Sequence, residues 1–430
     1  MVENKINKVQ LLVACGIVVL IGLFGIFINN SKLVVFLTTG MALGYILTRA
    51  RFGFAGGIKR IYITGEGSLT KALLIMFAVA MIATAGVHWG AAANGALPAF
   101  RAGSAASIPG TSSVHALDLG VLLGGFLFGI GMMIAGGCAS GTLTDFGEGA
   151  GRAFISLCFF ILGSIPGLQV QYMLHQTTIG KMGATVYLPD VMGYLGTLIV
   201  SIIILLVLYI VTRKYENFRK KEGYYSKTIY EDDELPLAED KGYKFFSYKT
   251  YHKFFIERWS FMAGGLLLAV MFVYIINTSG HSWGVTGPFT NWGVAFFQMF
   301  GVQFSSPAFK SVVATVNNGL INDAFGLRNI GIILGALIAM LLAGKFKFDL
   351  NFKLRDVWFY ILGGFLMGFG ARLAGGCNIG ALFSGICNFS LSGWGFFITL
   401  TLGGILGLKV FEGKVDVIPP NRHKDSPVEG

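Results

Sequence analysis

Two cysteines stand in the same setting at distant points of the chain: Ala-Gly-Gly-Cys-x-x-Gly is built around Cys138 and again around Cys377. The first copy occupies residues 124–143, GGFLFGIGMMIAGGCASGTL, and the second residues 363–382, GGFLMGFGARLAGGCNIGAL. Sliding 125–144 onto 364–383 gives 11 identities in 20 positions. Abundant glycine, 61 in the chain, would not by itself align two of only five cysteines. The pair marks an internal repeat whose tip carries a thiol. Gly136, Gly137 and Gly141, with Gly375, Gly376 and Gly380 in the second copy, let backbone approach backbone and aim successive N–H groups into one cavity. Where a short helix starts at such a turn, its first N–H groups and its dipole favour an anion. The thiol adds a weak S–H donor and a polarizable acceptor, suited to a soft, sulfur-bearing solute. Helix packing is the plainer use of the same residues.

Other groups near the repeat bear on this chemistry. Arg372 lies in an apolar run five residues before Cys377. A guanidinium there is costly in a membrane unless it is paired or faces water, and it is expected to raise the anion concentration on the approach to Cys377. Asn378, next to that thiol, is placed on the same pathway. Asp145 and Glu148 are expected to pair with Arg152, or with Arg49, Arg51, Lys59 and Arg60. Cys15, Cys158 and Cys387 lie in or beside apolar runs and read as small buried hydrophobes. No CxxC, no Cys/His ligand spacing and no clustering of the six histidines points to a metal or a disulfide framework. Without a phosphate loop, a dinucleotide fingerprint or a Ser/His/Asp pattern, the sequence assigns no catalytic residue and no cofactor.

The elements that must carry these residues are apolar. The 430-residue chain is 54% hydrophobic and 13% charged, too little charge to cover a soluble core. Runs of about 20 apolar residues, the length that spans a bilayer, recur near 9–29, 33–48, 70–88, 117–135, 152–170, 191–212, 259–277, 329–344, 356–374 and 392–409. The first is read as an uncleaved span. With the N-terminus placed in the cytoplasm, 27 of the 33 Lys and Arg fall on inside segments, as the positive-inside rule requires. The same rule accounts for the net charge of +11 without nucleic acid.

The expected fold is therefore an all-α polytopic membrane protein with about ten spans and short re-entrant helices. Residues 1–212 and 259–411 form its two membrane halves, 213–258 a charged cytoplasmic linker, and 412–430 a mobile cytoplasmic tail. Neither KYENFRKKEGYYSK nor EDDELPLAED in the linker has an apolar face wide enough to pack. Five spans separate the two cysteine motifs, so the second half is inverted relative to the first, an arrangement that builds transport sites near the midplane. The stretches after each cysteine are too polar for a span and too apolar for a free loop, and they read as re-entrant segments buried in protein or lining a cavity. Residues 49–59, 89–115 and 282–304 look similarly unfinished as spans.

The two cysteine motifs, together with RARFGFAGGIKR and WGVTGPFTNWGVAFFQMFGV, resemble those of the YeeE/YedE family of membrane proteins, implicated in uptake of sulfur compounds and thiosulfate in particular. The resemblance implies an hourglass of helices with inverted pseudo-symmetry, and a relay of thiols, Cys138 and Cys377, that hydrogen-bond a passing ion. It also implies a small cytosolic sulfur-carrier protein as partner, while the charge tally places both termini in the cytoplasm of a plasma (inner) membrane protein. RARFGFAGGIKR, with Arg49, Arg51 and Gly53, resembles the family's first re-entrant motif. Thiosulfate-carrying relatives have a cysteine where Gly53 stands. That departure keeps a selenium species or another sulfur compound open as substrate. A membrane thiol enzyme that passes persulfide sulfur to a carrier is the competing class, for which a thiol needs an electropositive setting and access.

Overall fold

The computed structural model describes residues 6–227, 231–237 and 245–419. The expectations for the tail past residue 419, and for the linker at 228–230 and 238–244, lie outside the described residues. Nine helices among those described are long and apolar enough to cross a membrane. A tenth span results if Leu354–Leu373 and Asn378–Cys387, bent by 43° at a short break, count together. The expected number of spans and the all-α class are thus found. The helices used below are α1 (Lys8–Ile28), α2 (Ser31–Arg49), α3 (Phe54–Thr64), α4 (Ser68–Ala93), α5 (Leu119–Ile134), α6 (Ala139–Gly147), α7 (Gly151–Gln176) and α8 (Leu188–Lys221). They continue with α9 (Phe261–Ser279), α10 (Gly287–Met299), α11 (Lys310–Asn317), α12 (Ala324–Leu342), α13 (Leu354–Leu373), α14 (Asn378–Cys387, π-helical over Asn378–Ser384) and α15 (Leu391–Phe411).

Start signals in the sequence fix several of these helices. Asn7, Asp118, Ser260 and Asp323 each accept a hydrogen bond from a first-turn N–H of the helix that follows, leaving fewer bare donors at the helix start. The packing follows an exchange rule. Swapping α2 with α9, α3 with α10, α4 with α12, α5 with α13, α6 with α14 and α7 with α15 turns most of the helix contacts into one another. Thus α2 lies on α12 as α9 lies on α4, α13 on α7 as α5 on α15, and α10 on α7 as α3 on α15. The pairs α5–α13 and α6–α14 map onto themselves and sit at the centre. Helices α1 and α8 stand outside the exchange, against α12 and α4.

Close crossings hold this arrangement together. A β-carbon on Gly40 or Gly44 would run into the main chain of Arg328 or Ile332, and one on Gly331 or Gly335 into that of Leu37 or Met41. The helices α2 and α12 therefore touch backbone to backbone, the small-residue packing of membrane helices.

The linker differs from expectation. Helix α8 runs on to Lys221, past the expected end of its span, and its polar end packs without an apolar face. Glu216 is buried and pairs with Lys71 at 2.8 Å, while the buried Arg219 donates to the carbonyls of Tyr62 and Ile63 at 3.0 Å each. Ion pairing and carbonyl hydrogen bonds do there what apolar burial does elsewhere. Of the unfinished segments, 49–59 contributes α3 and 282–304 contributes α10. Residues past Ala93 fold back irregularly and bury Ile108 and Thr111. Ala116–Leu117 pairs with Ala184–Thr185 in a two-stranded antiparallel sheet.

Gly44→Leu is expected to lower the midpoint of thermal unfolding in detergent by several degrees, overpacking of this kind costing about 1–3 kcal/mol. Gly22→Leu, where an added β-carbon on α1 meets nothing within 4 Å, should leave it unchanged. Size-exclusion-monitored heating of the two variants checks the pair.

Candidate functional site

Both repeat cysteines sit at the N-cap of a short helix, where an apolar helix has just been broken. Gly136 and Gly375, at matching places in the two copies, hold φ of 81° and 69°. Only glycine adopts that left-handed turn freely, and it ends α5 and α13 at the same point of the motif. Cys138 then stands as the N-cap of α6 with extended backbone (φ −86°), and Cys377 as the N-cap of α14 (φ −113°). Thr142 N reaches the carbonyl of Cys138 at 2.7 Å and Ala381 N that of Cys377 at 2.8 Å, so the two breaks are closed alike.

The thiols are buried, 1% and 0% exposed, and both belong to the main core. Cys138 Sγ is 3.4 Å from Ser140 Oγ, and Cys377 Sγ accepts from Ile379 N at 3.4 Å. Gly141 runs 3.8 Å from the Cys138 sulfur as measured to an ideal β-carbon, whereas one on Gly380 meets nothing within 4 Å. Gly376 has no room: its β-carbon would lie 2.9 Å from the Gly380 carbonyl carbon. Gly137 is less confined, with Asp145 Oδ2 its nearest neighbour at 3.7 Å. Asn378 donates to Met132 Sδ at 3.5 Å, which ties the second motif to the helix before the first, and its buried Oδ1 has no partner among the described residues.

The two flanking motifs reach the same place. The Phe383 ring on α14 is ringed by Phe54, Phe77, Phe272 and Trp283 at centroid distances of 5.9, 5.0, 4.6 and 6.3 Å. Phe54 follows Gly53, the N-cap of α3, and Trp283 lies just ahead of α10. Gly53 has φ −116° and open space where a β-carbon would point. The four motifs singled out in the sequence therefore converge on one core.

A vestibule of 340 Å³ opens onto this core beside Leu373, Ala374 and Gly375, the residues leading into Cys377. Lys181, His115, His175, Asp118 and Gln171 contribute its polar wall. Asp118 and His175 face each other at 2.9 Å. Burial, opposed by the charge of Asp118, lowers the proton affinity of His115 below the usual imidazole range. It lines the cavity as a neutral ring, and Lys181 adds a cation to the wall. Arg372 is half-buried, is not among the lining residues, and keeps its Nε without a partner among those described.

At the opposite, lysine-rich end, Arg152 pairs with Asp145 at 2.6 Å and Arg51 with Glu148 at 3.7 Å, as expected of those acids. Arg49 is buried and donates to the carbonyls of Ile256 and Glu257, a structural use that takes it out of the core.

Sequence reasoning missed a buried network beside the vestibule. His88 bridges Tyr187 OH at 2.9 Å and Asn388 Oδ1 at 3.1 Å, and Asn388 Nδ2 donates to Ser282 Oγ at 2.9 Å and Ser113 Oγ at 3.1 Å. These residues come from five separate segments, and no spacing in the chain announces them.

A family model described as sulphur transport matches residues 49–406. Among curated proteins, the probable transporter YedE of Escherichia coli (strain K12) is 32% identical over 158 residues, 37% of this chain and 39% of that protein. The matched stretch thus spans about two fifths of the YedE relative's length. The thiosulfate transporter TsuA of the same organism is 25% identical over 379 residues, 85% of this chain and 91% of its own. The TsuA of Spirochaeta thermophila (strain ATCC 700085 / DSM 6578 / Z-1203) is 27% identical over 300 residues, 66% and 75% of the two chains.

The glycines of the site divide by geometry. Gly53→Ala should leave thermal stability unchanged, its β-carbon meeting nothing and its φ being negative. Gly136→Ala should cost about 1–3 kcal/mol from its left-handed backbone. Unfolding midpoints of the two variants in detergent test the contrast.

Proposed function

The chain belongs to the sulphur-transport family, and from that premise we propose that it carries thiosulfate, or a related inorganic sulfur anion, across the membrane past Cys138 and Cys377. One observation carries this reading: two thiols at equivalent helix N-caps, buried in one core where four motifs meet. The ion enters the vestibule, drawn by Lys181, with Arg372 adding its charge from behind the wall. Gly375, Gly376 and Gly380 let it come close to Cys377, whose S–H it meets together with the polar edge of Asn378. It then passes to Cys138, with Gly136, Gly137 and Gly141 keeping that turn slim. Neutral donors in series bind weakly enough to release, which conduction requires and a fixed cation at the constriction would prevent. Gly53, open but without a thiol, is passed by backbone contact alone.

The membrane halves are residues 1–212 and 259–411 in opposite orientation, with 213–258 and 412–430 in the cytoplasm. The protein sits in the plasma (inner) membrane with both termini inside, surrounded by the lipid bilayer. It passes the ion intact rather than acting as an enzyme, and a small cytosolic sulfur-carrier protein receives the sulfur beyond the cytoplasmic mouth. The likeness to the two TsuA proteins, over 85% and 66% of this chain, supports thiosulfate as cargo.

Uptake of sulfur-labelled thiosulfate into proteoliposomes tests the proposal. The native protein should show saturable uptake, and Cys138→Ala and Cys377→Ala should each reduce it by about fivefold to a hundredfold. That is the effect of removing a donor worth about 1–3 kcal/mol from a dry path. Unchanged unfolding midpoints would exclude misfolding as the cause. No uptake by the native protein would remove thiosulfate as substrate, and sulfur found covalently on either thiol by mass spectrometry would favour persulfide transfer over transport.

A further inference from the structure

A group of charges at the lysine-rich end has no part in the thiol pathway. Arg51 holds φ 48°, a left-handed conformation rare for a side chain of its size, two residues before Gly53. From there its guanidinium faces Glu148 Oε2 at 3.7 Å, Glu234 Oε1 at 3.3 Å and Glu231 Oε1 at 4.0 Å. Glu148 closes α6, whose nine residues, about 13 Å long, lie between it and Cys138. Lys345, just past α12, meets Glu231 at 2.8 Å, Asp233 at 2.8 Å and Glu234 at 3.2 Å. Both cations converge on one atom, Glu234 Oε1.

Three of these carboxylates come from the linker. Residues 231–234 form a single 3-10 turn laid on the bundle, with Asp233 O accepting from His252 Nε2 at 2.8 Å and Glu234 O from Arg258 N at 3.1 Å. Glu234 is 4% exposed, Asp233 half-buried and Glu231 open to solvent. Burial alone would raise the Glu234 pKa, yet Arg51 and Lys345 outweigh it and hold the carboxyl below its ordinary range, so the group is an anion. The contact is a charge docked into a cationic cradle rather than an apolar anchor.

We propose that Arg51 and Lys345 form a binding site for a small oxyanion, and that the linker residues 231–234 are its tethered competitor. The Glu234 oxygen shared by the two cations stands where an oxygen of the ion would sit. An oxyanion at this end of the path displaces the acidic turn, and the turn returns when the ion leaves. Tethering keeps the competing carboxylate at an effective concentration of order millimolar, so it opposes weak occupancy and yields to a well-supplied ion. The displacing ion is the transported one if the transport reading above holds; displacement itself does not depend on transport.

Hydrogen–deuterium exchange of the full chain in detergent tests displacement directly. Amides of residues 231–235 should exchange faster in sodium thiosulfate or sodium sulfate than in sodium chloride at matched ionic strength. The difference should disappear in Arg51→Gln, or in Lys345→Gln should the first variant not fold. The same acceleration in a Cys138→Ala/Cys377→Ala double variant separates this site from the pathway. In proteoliposomes, Glu231→Gln/Asp233→Asn/Glu234→Gln should lower the half-saturating thiosulfate concentration about two- to tenfold, the range set by releasing a partly exposed ion-pair competitor. Exchange that depends on ionic strength but not on the anion overturns the proposal, whatever uptake shows.

Discussion

A helix broken inside a membrane leaves N–H and C=O groups that lipid cannot satisfy, and this chain breaks its helices at four places to build one core. Each break has to be closed by protein. Left-handed Gly136 and Gly375 turn the chain sharply enough for the next helix to begin at once, and the carbonyls of Cys138 and Cys377 are taken up by its first turn. The thiols thus stand at depth because of how the backbone is rescued there. Around them, Phe54, Phe77, Phe272, Trp283 and Phe383 exclude lipid and water from the breaks. The arrangement needs both halves: α5 and α13 lie against each other, and Asn378 on one side reaches Met132 on the other.

Much of this is legible in the amino-acid sequence. The offset repeat with its aligned cysteines predicts two equivalent broken helices, and the exchange rule among the helix contacts is its three-dimensional counterpart. The count of spans followed from apolar runs, since a bilayer sets one length for all of them. The vestibule was not legible. His115 and His175 line one cavity beside the pairing of Ala116–Leu117 with Ala184–Thr185, and no local pattern encodes such a pairing. Arg372 shows a second limit: the sequence gives its place on α13, whereas its direction is set by the close crossing of α13 with α7 near Gly167.

The linker shows how a reading based on apolar faces goes astray. KYENFRKK has no such face, yet Glu216 and Arg219 are buried because Lys71 and two main-chain carbonyls meet them. The acidic turn at 231–234 is held in the same way by Arg51 and Lys345. Polar docking of this kind is weaker per contact than apolar burial and answers to ions in solution. A segment held so is governed by what is dissolved at its face of the protein.

The backbone-to-backbone crossings have a mechanical meaning. Where α2 meets α12 at Gly40, Gly44, Gly331 and Gly335, no side chains lie between the helices to change rotamer or absorb a shift. The same holds where Gly364 and Gly368 of α13 meet Ser156 and Phe160 of α7, and where Gly403 of α15 meets Phe126 of α5. Each such pair behaves as one stiff strut, able to travel as a body but not to slide by small steps. The half-helices begun by the two thiols are welded as well, α6 through Gly147 to the Ile333 carbonyl of α12 and α14 at Ile386 N to Gly393 of α15, so the irregular stretch after Ala93 and the charge-docked turn at 231–234 are left to supply the compliance.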